Sequence, residues 1–284
     1  MVETRLSEQQ IAFFKTFGYL QFPGLMADCI DRIVEEFEGI WETHGKSHDG
    51  IAKVNLQPFA DQSKYLSALL DEPRIHDIAA SICGDDFNYL GGSGTLFVGD
   101  TLWHSGYYQT LSPRIMFYLD RLTRDTGALR VIPGSHHHSD EFGEAIQCGI
   151  LEGRSATLAA PGINWGVESP EVPAVALETE PGDVLVFDDN LKHASFGGST
   201  RRRVFLMDIS CRYPEDQIGE LRGWIDANAK SWRTHIGARV HGEAMLRTAG
   251  RERWVHLEQV HANDGNYSDL LRKHKKAALE AARG

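Results

Sequence analysis

Two of the thirteen histidines stand in company that suggests metal chemistry. His104 follows Trp103 and precedes Ser105 and Gly106, inside the run from Gly99 to His136. His193 lies 89 positions further on, after the run Pro181 to Phe187 and shortly before Arg201, Arg202 and Arg203. A neutral imidazole nitrogen is a ligand for iron, zinc or copper. A guanidinium holds a carboxylate through two parallel hydrogen bonds. Two imidazoles and one arginine could therefore form a metal centre that also binds an anion. A lone histidine is ordinarily a surface or satisfied core residue, so the case depends on the fold bringing the pair together. His136 to His138 have the look of a metal cluster, but adjacent side chains at a strand end cannot all aim at one ion. Cys29, Cys83, Cys148 and Cys211 are widely spaced with no CxxC pair, which argues against a zinc knuckle or a disulfide framework. They are expected to be reduced, buried and structural.

Converging residues so far apart requires a sheet, and the hydrophobic pattern predicts one. Ser7 with Gln10 has the form of a capping box, with Ile11, Phe14 and Phe17 at helical spacing behind it. A second amphipathic helix is expected from about Asp28 to His44, and a third from about Lys64 to Ile82 with its register perturbed at Pro73. The period then changes. Strand-length runs are predicted at Phe87 to Leu90, Thr95 to Val98, Ile115 to Leu119, Ala128 to Ile132, Ala174 to Leu177, Val184 to Phe187 and Arg203 to Ile209. Helical spacing returns after Pro214, with Leu221, Trp224 and Ile225 on one face and a charged helix over Tyr267 to Ala282. The expectation is one mainly β domain with flanking helices, a barrel or jelly roll. Its parts would be a helical prelude over about 1–85, a β core over about 86–212 and C-terminal helices over about 213–284.

The pieces Trp103-His104, Phe117 to Asp120, Thr126 to His136 (TGALRVIPGSH), Pro181 to Phe187 (PGDVLVF), His193 and Arg201 to Arg203 occur in that order. This order resembles the phytanoyl-CoA dioxygenase family of iron and 2-oxoglutarate dependent oxygenases, over most of the chain as far as about Ser210. The resemblance implies a double-stranded β-helix, a cupin-like jelly roll, with Fe(II) and 2-oxoglutarate as cofactors. It implies His104 and His193 as iron ligands, and an arginine opening the strand after the second histidine as the 2-oxoglutarate anchor. Matching Arg-Arg-Val-Phe to the family's start of that strand favours Arg202, with Arg203 next. Neighbours on a strand face opposite ways, so only one of the two can serve.

The departure from the family is at position 106, where a carboxylate ligand is expected and glycine stands. Glycine leaves a coordination position for a water or an anion. The same change, H-x-G, is similar to that of the family's halogenases, in which chloride binds iron in the vacated place and recombines with a substrate radical. Gly106 is therefore read as the halide site, and the expected activity is chlorination of an unactivated aliphatic carbon of a free small molecule. A hydroxylase with a water-completed iron shell and a non-catalytic cupin-like binding protein are the alternatives, and an engineered glycine is a further source of the pattern. Asp100 would lie about 13 Å up the strand from His104, too far to replace the carboxylate. Trp103, Tyr107 and Tyr108 are candidates to line the pocket or to pack the core.

Composition narrows the partners. A net charge of −11 argues against binding nucleic acid polymers or anionic membranes. The absence of an apolar run of spanning length and of a signal-peptide core in MVETRLSEQQ leads to the expectation of a cytoplasmic protein. Besides O2, the partner is expected to be a small molecule. Arg233, His235 and Arg239 hint at a nucleotide, against the plainer reading of a solvated helix face.

Overall fold

In the computed structural model, the structure describes residues 4–106, 108–137, 163–164, 167–198 and 202–282. The first helix, α1 (Glu8–Phe17), starts at the expected capping box, in which Ser7 accepts from the Gln10 amide, and stops at Gly18, whose φ of 84° is open to glycine at little cost. Helix α2 (Ile30–Thr43) buries Ile33, Phe37, Ile40 and Trp41, one stripe at helical spacing. The long helix expected over 64–82 is two helices, α3 (Lys64–Ala68) and α4 (Pro73–Cys83). Pro73 opens α4 in the first turn, where its missing N–H costs nothing, so it starts a helix instead of kinking one.

The described residues hold thirteen strands: β1 (Tyr19–Phe22), β2 (Val54–Leu56), β3 (Asn88–Gly91), β4 (Gly94–Phe97), β5 (Thr101–His104), β6 (Pro113–Tyr118), β7 (Leu129–Val131), β8 (Ile163–Asn164), β9 (Val167–Glu168), β10 (Val175–Leu177), β11 (Val184–Asp188), β12 (His193–Ser195) and β13 (Arg202–Ser210). They make a large sheet in the order β1-β11-β6-β13-β4-β2, with β3 also paired to β13, a small sheet β10-β7-β12-β5, and the short pair β8/β9. The mainly antiparallel fold with flanking helices is the expected jelly roll. The segment expected to be a helical prelude contributes β1 and β2 to the large sheet, so the β structure begins earlier than the periodicity indicated. Both strands are too short to display an alternation.

Alternation along the large sheet sorts its side chains into two layers. Ile115, Phe117, Val184, Val186, Phe205 and Met207 face α2 and α4 in one apolar cluster, where the rings of Phe117 and Phe205 stack with centroids 4.5 Å apart. Met116, Tyr118, Leu185, Phe187 and Val204 face the opposite way and meet Leu129, Val131 and Leu177 of the small sheet. The candidate site lies in this second, intersheet layer. Helices Ile218–Asn228, Glu243–Thr248, Arg251–Asn263 and Tyr267–Ala281 complete the C-terminal part. Cys29, Cys83 and Cys211 are free thiols, half-buried rather than buried, and Cys148 lies outside the described residues. No described helix is long and apolar enough to cross a membrane.

Candidate active site

His104 ends β5 and His193 begins β12, and the two are direct partners in that antiparallel pair. Cross-strand partners project to the same face with Cβ atoms about 5 Å apart, which is how a separation of 89 residues becomes a contact. The ring centroids are 4.1 Å apart, with the planes inclined at 55°. Nδ1 of His104 donates to the Leu102 carbonyl at 2.8 Å, and Nδ1 of His193 donates to the Leu191 carbonyl at 2.7 Å. A carbonyl only accepts, so each contact requires the proton on Nδ1 and puts the lone pair on Nε2. Both imidazoles thus carry the tautomer that a metal needs. Phe187 stands edge-on to His193 at 4.9 Å and helps fix its ring.

Both histidines line a cavity of about 170 Å3 between the sheets, together with Lys53, Asn55, Arg114, Tyr118, Ser195 and Arg202. A larger surface groove of about 790 Å3 runs along the outer face of α2 and includes neither His104 nor His193. Arg202 is 2% exposed. Its Nη1 donates to the Gly127 carbonyl at 2.6 Å and to Ser195 Oγ at 2.8 Å, its Nη2 to the Gly99 carbonyl at 3.3 Å, and its guanidinium lies 4.5 Å from the centre of the Phe97 ring. The Nε is buried without a hydrogen-bond partner, and no described carboxylate is hydrogen-bonded to the group. Burial holds its pKa below the ordinary arginine value, with Tyr118 and Asp100 working in the other direction. A buried cation without a counter-ion is a strong recognition element for an added carboxylate. Lys53 adds a second positive charge, its Nζ 4.4 Å from the same Phe97 ring.

Arg203 takes the other face of β13. Its Nη2 meets Asp120 Oδ1 and its Nη1 meets Glu38 Oε1, each at 2.6 Å, and it does not line the cavity. Parity explains the split, because Arg202 shares a face with Val204 and Leu206 while Arg203 shares one with Phe205 and Met207. The structure therefore brings Arg202 and not Arg203 to the two histidines, and Arg201 lies outside the described residues. Asp100 is turned to the Gly198 amide, to which it is bonded at 3.1 Å. His136 is bonded to the Lys15 carbonyl at 3.1 Å and its ring lies 3.9 Å from that of His137, tilted by 37°, and neither lines the cavity; His138 and Tyr107 lie outside the described residues. Trp103 donates to the Ser169 carbonyl and packs with Phe196, a core role.

The space beside Gly106 is not open. A Cβ built on this residue would stand 2.4 Å from Cε2 of Tyr108 and 2.7 Å from Oδ2 of Asp189. The Gly106 amide donates to the Asp189 carbonyl at 2.7 Å, and Asn190 clasps both backbone polar groups of Tyr108, so the loop after β5 is laced to the turn before β12. Asp189 is 4% exposed and pairs with Arg114 at 2.9 Å, and Arg114 also bonds Asp208 at 2.9 Å. Burial raises the pKa of Asp189, against the pull of Arg114 and of the Tyr108 phenol. The expected small void at Gly106 is thus filled by a ring and a carboxylate. Lys53 and Arg114 on the cavity, and Asp189 paired with Arg114, stand in no motif of the sequence. The acidic pair Asp188-Asp189 just ahead of His193 was the one available signal.

A family model, Phytanoyl-CoA dioxygenase (PhyH), matches residues 14–204, well over half of the chain. The chain belongs to the phytanoyl-CoA dioxygenase family. As a member it is an oxygenase of the iron and 2-oxoglutarate dependent class. It is similar to a probable phytanoyl-CoA dioxygenase of Caenorhabditis elegans, 23% identical over 256 residues that span 75% of this chain and 77% of the relative. Its fold is similar to that of the non-heme alpha-ketoglutarate dependent carbocyclase SnoK from nogalamycin biosynthesis, with a TM-score of 0.55, 18% identity, and coverage of 72% of this chain and 84% of that one. It is also similar to EctD from S. alaskensis in a structure with 2-oxoglutarate and 5-hydroxyectoine, with a TM-score of 0.53, 21% identity, and coverage of 74% and 78%.

The remaining sequence hint, toward a nucleotide, falls on residues engaged elsewhere. Arg239 is paired with Asp264, and Arg233 lies over Trp232. His235 packs on Tyr267, with its pKa pushed down to about 4 by burial. None of the three lines the cavity.

Proposed function

We propose that this protein is an iron(II) and 2-oxoglutarate dependent hydroxylase of a small aliphatic molecule, with His104 and His193 as its two protein ligands to iron and Arg202 as the anchor of the oxoacid's distal carboxylate. The observation that carries the proposal is the pair of imidazoles, cross-strand partners with both Nδ1 protons committed to carbonyls, on the same cavity as a buried arginine that has no counter-ion among the described residues. The donors fit the metal, since nitrogen ligands with vacant positions beside them suit iron(II). Iron with chelated 2-oxoglutarate supplies an oxidant able to take a hydrogen atom from an unactivated carbon. The relatives support the cofactors: EctD was solved with 2-oxoglutarate, and HygX of Streptomyces hygroscopicus, TM-score 0.51, with nickel and 2-oxoglutarate.

The chain's own part is placement. The carbonyls of Leu102 and Leu191 orient the imidazoles, while Ser195 and the carbonyls of Gly127 and Gly99 hold the Arg202 guanidinium ready for a carboxylate. Phe187, buried between the sheets, packs edge-on against His193 and limits its movement. Hydroxylation is favoured over halogenation because Tyr108 and Asp189 crowd Gly106, so the glycine does not open a free space for a halide as large as chloride. Chlorination is the second reading, and the observation for it is Gly106 itself, which offers the metal no side chain. No cavity-lining group among those described selects a nucleotide, so the proposed substrate class is a small molecule without that restriction.

Protein purified without oxygen and supplied with iron(II) and 2-oxoglutarate should release succinate only when O2 is added, and His193→Ala should abolish the release. No succinate under any condition would leave a binding protein. With a turned-over substrate and bromide in place of chloride, a product bearing one added oxygen supports hydroxylation. A product with a bromine isotope doublet supports the second reading.

A further inference from the structure

We propose that Asp189 supplies, from the turn before β12, the negative charge beside the metal that residue 106 cannot, acting through water bound in the vacated position, and that it keeps halide out of that position. The inference rests on His104 and His193 holding the metal.

Three observations support it. The first is place. Gly106 is two residues beyond His104, and the oxygens of an aspartate at 106 would stand two bonds out from its Cβ. Asp189 Oδ2 lies 2.7 Å from that Cβ position, close to the distance at which such a carboxylate's own oxygens would stand. The main-chain bond from Gly106 to Asp189 ties the two residues together at 2.7 Å.

The second is charge. Arg114 lines the cavity and is shared by two carboxylates, Asp189 and Asp208. Both carboxylates depend on this one guanidinium, and burial raises the pKa of each, so a cation placed close by would favour their ionised forms. The third is an incomplete hydrogen-bond shell. Asp189 Oδ1, although 2.9 Å from Arg114 Nη1, is buried without an aligned hydrogen bond. Among the described residues no three His, Cys, Asp or Glu side chains close on one point. Asp189 therefore acts at one remove, as an acceptor for metal-bound water, and not as a third ligand. An anionic oxygen beside this position repels chloride while accepting a hydrogen bond from water.

The test uses Co(II), whose visible absorption reports its ligand shell. Co(II) is titrated into the full-length metal-free protein and into Asp189→Asn, Asp189→Glu and Asp208→Asn. Bromide is then added at constant ionic strength. Outer-shell partners of metal ligands typically change affinity about 10-fold to 100-fold. Asp189→Asn is expected to weaken Co(II) by at least about 10-fold, Asp189→Glu to retain most of the affinity, and Asp208→Asn to change it less than about 3-fold. The Co(II) spectrum of the unaltered protein should ignore bromide, and that of Asp189→Asn should respond. Equal losses for Asp189→Asn and Asp208→Asn would mean that Asp189 only holds Arg114, and would overturn the proposal. A saturable bromide shift in the unaltered protein would overturn it without any variant. Absence of Co(II) binding by the unaltered protein would overturn the histidine centre itself, a distinct result.

Discussion

At the scale of single residues, the clearest contrast is between Arg202 and Arg203, adjacent in the chain and opposite in circumstance. Arg202 is buried among neutral acceptors, whereas Arg203 is paired with Asp120 and Glu38. Arg202→Met should therefore weaken 2-oxoglutarate binding to the Co(II) protein by at least about 100-fold, near 3 kcal/mol, as expected for a bidentate charge-assisted contact. Arg203→Met should leave that binding within about 3-fold and instead lower stability by about 1–3 kcal/mol, since two partly buried carboxylates lose their cation. Calorimetric titration and denaturant unfolding separate the two effects. Equal loss of 2-oxoglutarate binding in both variants would remove Arg202 from its assigned role. Gly106→Asp belongs to the same scale. Its Cβ would meet the Tyr108 ring at 2.4 Å, so the restored carboxylate has no room unless Tyr108 swings away. The variant is expected to lose about 1–3 kcal/mol of stability. Relief of that loss by the additional change Tyr108→Ala would identify the ring as the obstacle.

Among elements, β13 has the widest duties. It pairs with β6, β3 and β4, carries Arg202 on the cavity face and buries Phe205, Met207 and Ile209 on the helix face. The link between β3 and β4 passes so close that a Cβ on Gly92 would stand 2.0 Å from the Leu206 carbonyl oxygen. Backbone cannot yield as a side-chain tip does. Gly92→Ala should therefore destabilise the protein by more than about 2 kcal/mol and loosen the Arg202 site with it. A lower midpoint in urea accompanied by weaker 2-oxoglutarate binding is the expected pair of results. An unchanged midpoint would mean that β3 and β4 can part at little cost. The pairing of β5 with β12 is the matching device on the small sheet, because it makes two distant histidines neighbours by register alone.

For the molecule as a whole, the buried acids near the site should make stability depend on pH. The carboxyl of Asp188, 5% exposed, has its pKa raised from 3.8 to about 7, chiefly by burial and further by the charge of Asp189, while the Asn190 amide and Lys192 oppose the rise. The unfolded chain releases this proton near pH 4, and the folded chain keeps it until near pH 7. Between those values the folded state holds the extra proton, so this group's contribution to stability falls as pH rises and levels off above pH 7. The full effect amounts to a few kcal/mol at most. Asp188→Asn keeps an oxygen for the Asn190 amide and cannot ionise. Its thermal midpoint should vary less than that of the unaltered protein from pH 5 to pH 8, and should be no lower at pH 8. A steeper dependence in the variant would contradict the assignment.

The local pattern of residues alone was enough for much of this protein. The Ser7 capping box and the stripes of α2 are local interactions within a few residues, and the apolar runs of β6, β11 and β13 declare strands by themselves. The roles proposed for His104, His193 and Arg202 come from flanking segments that resemble a family in which these positions have known tasks. What lay beyond reach was set by contacts between distant parts of the chain. Which face each arginine takes depends on the register of β13, because both faces of that strand are apolar. Whether Gly106 leaves a hole depends on Tyr108 and Asp189, and Asp189 comes from 83 residues further along. A glycine states only that its own side chain is missing. Tertiary packing decides what enters the space, and here it brings in a ring and a buried carboxylate.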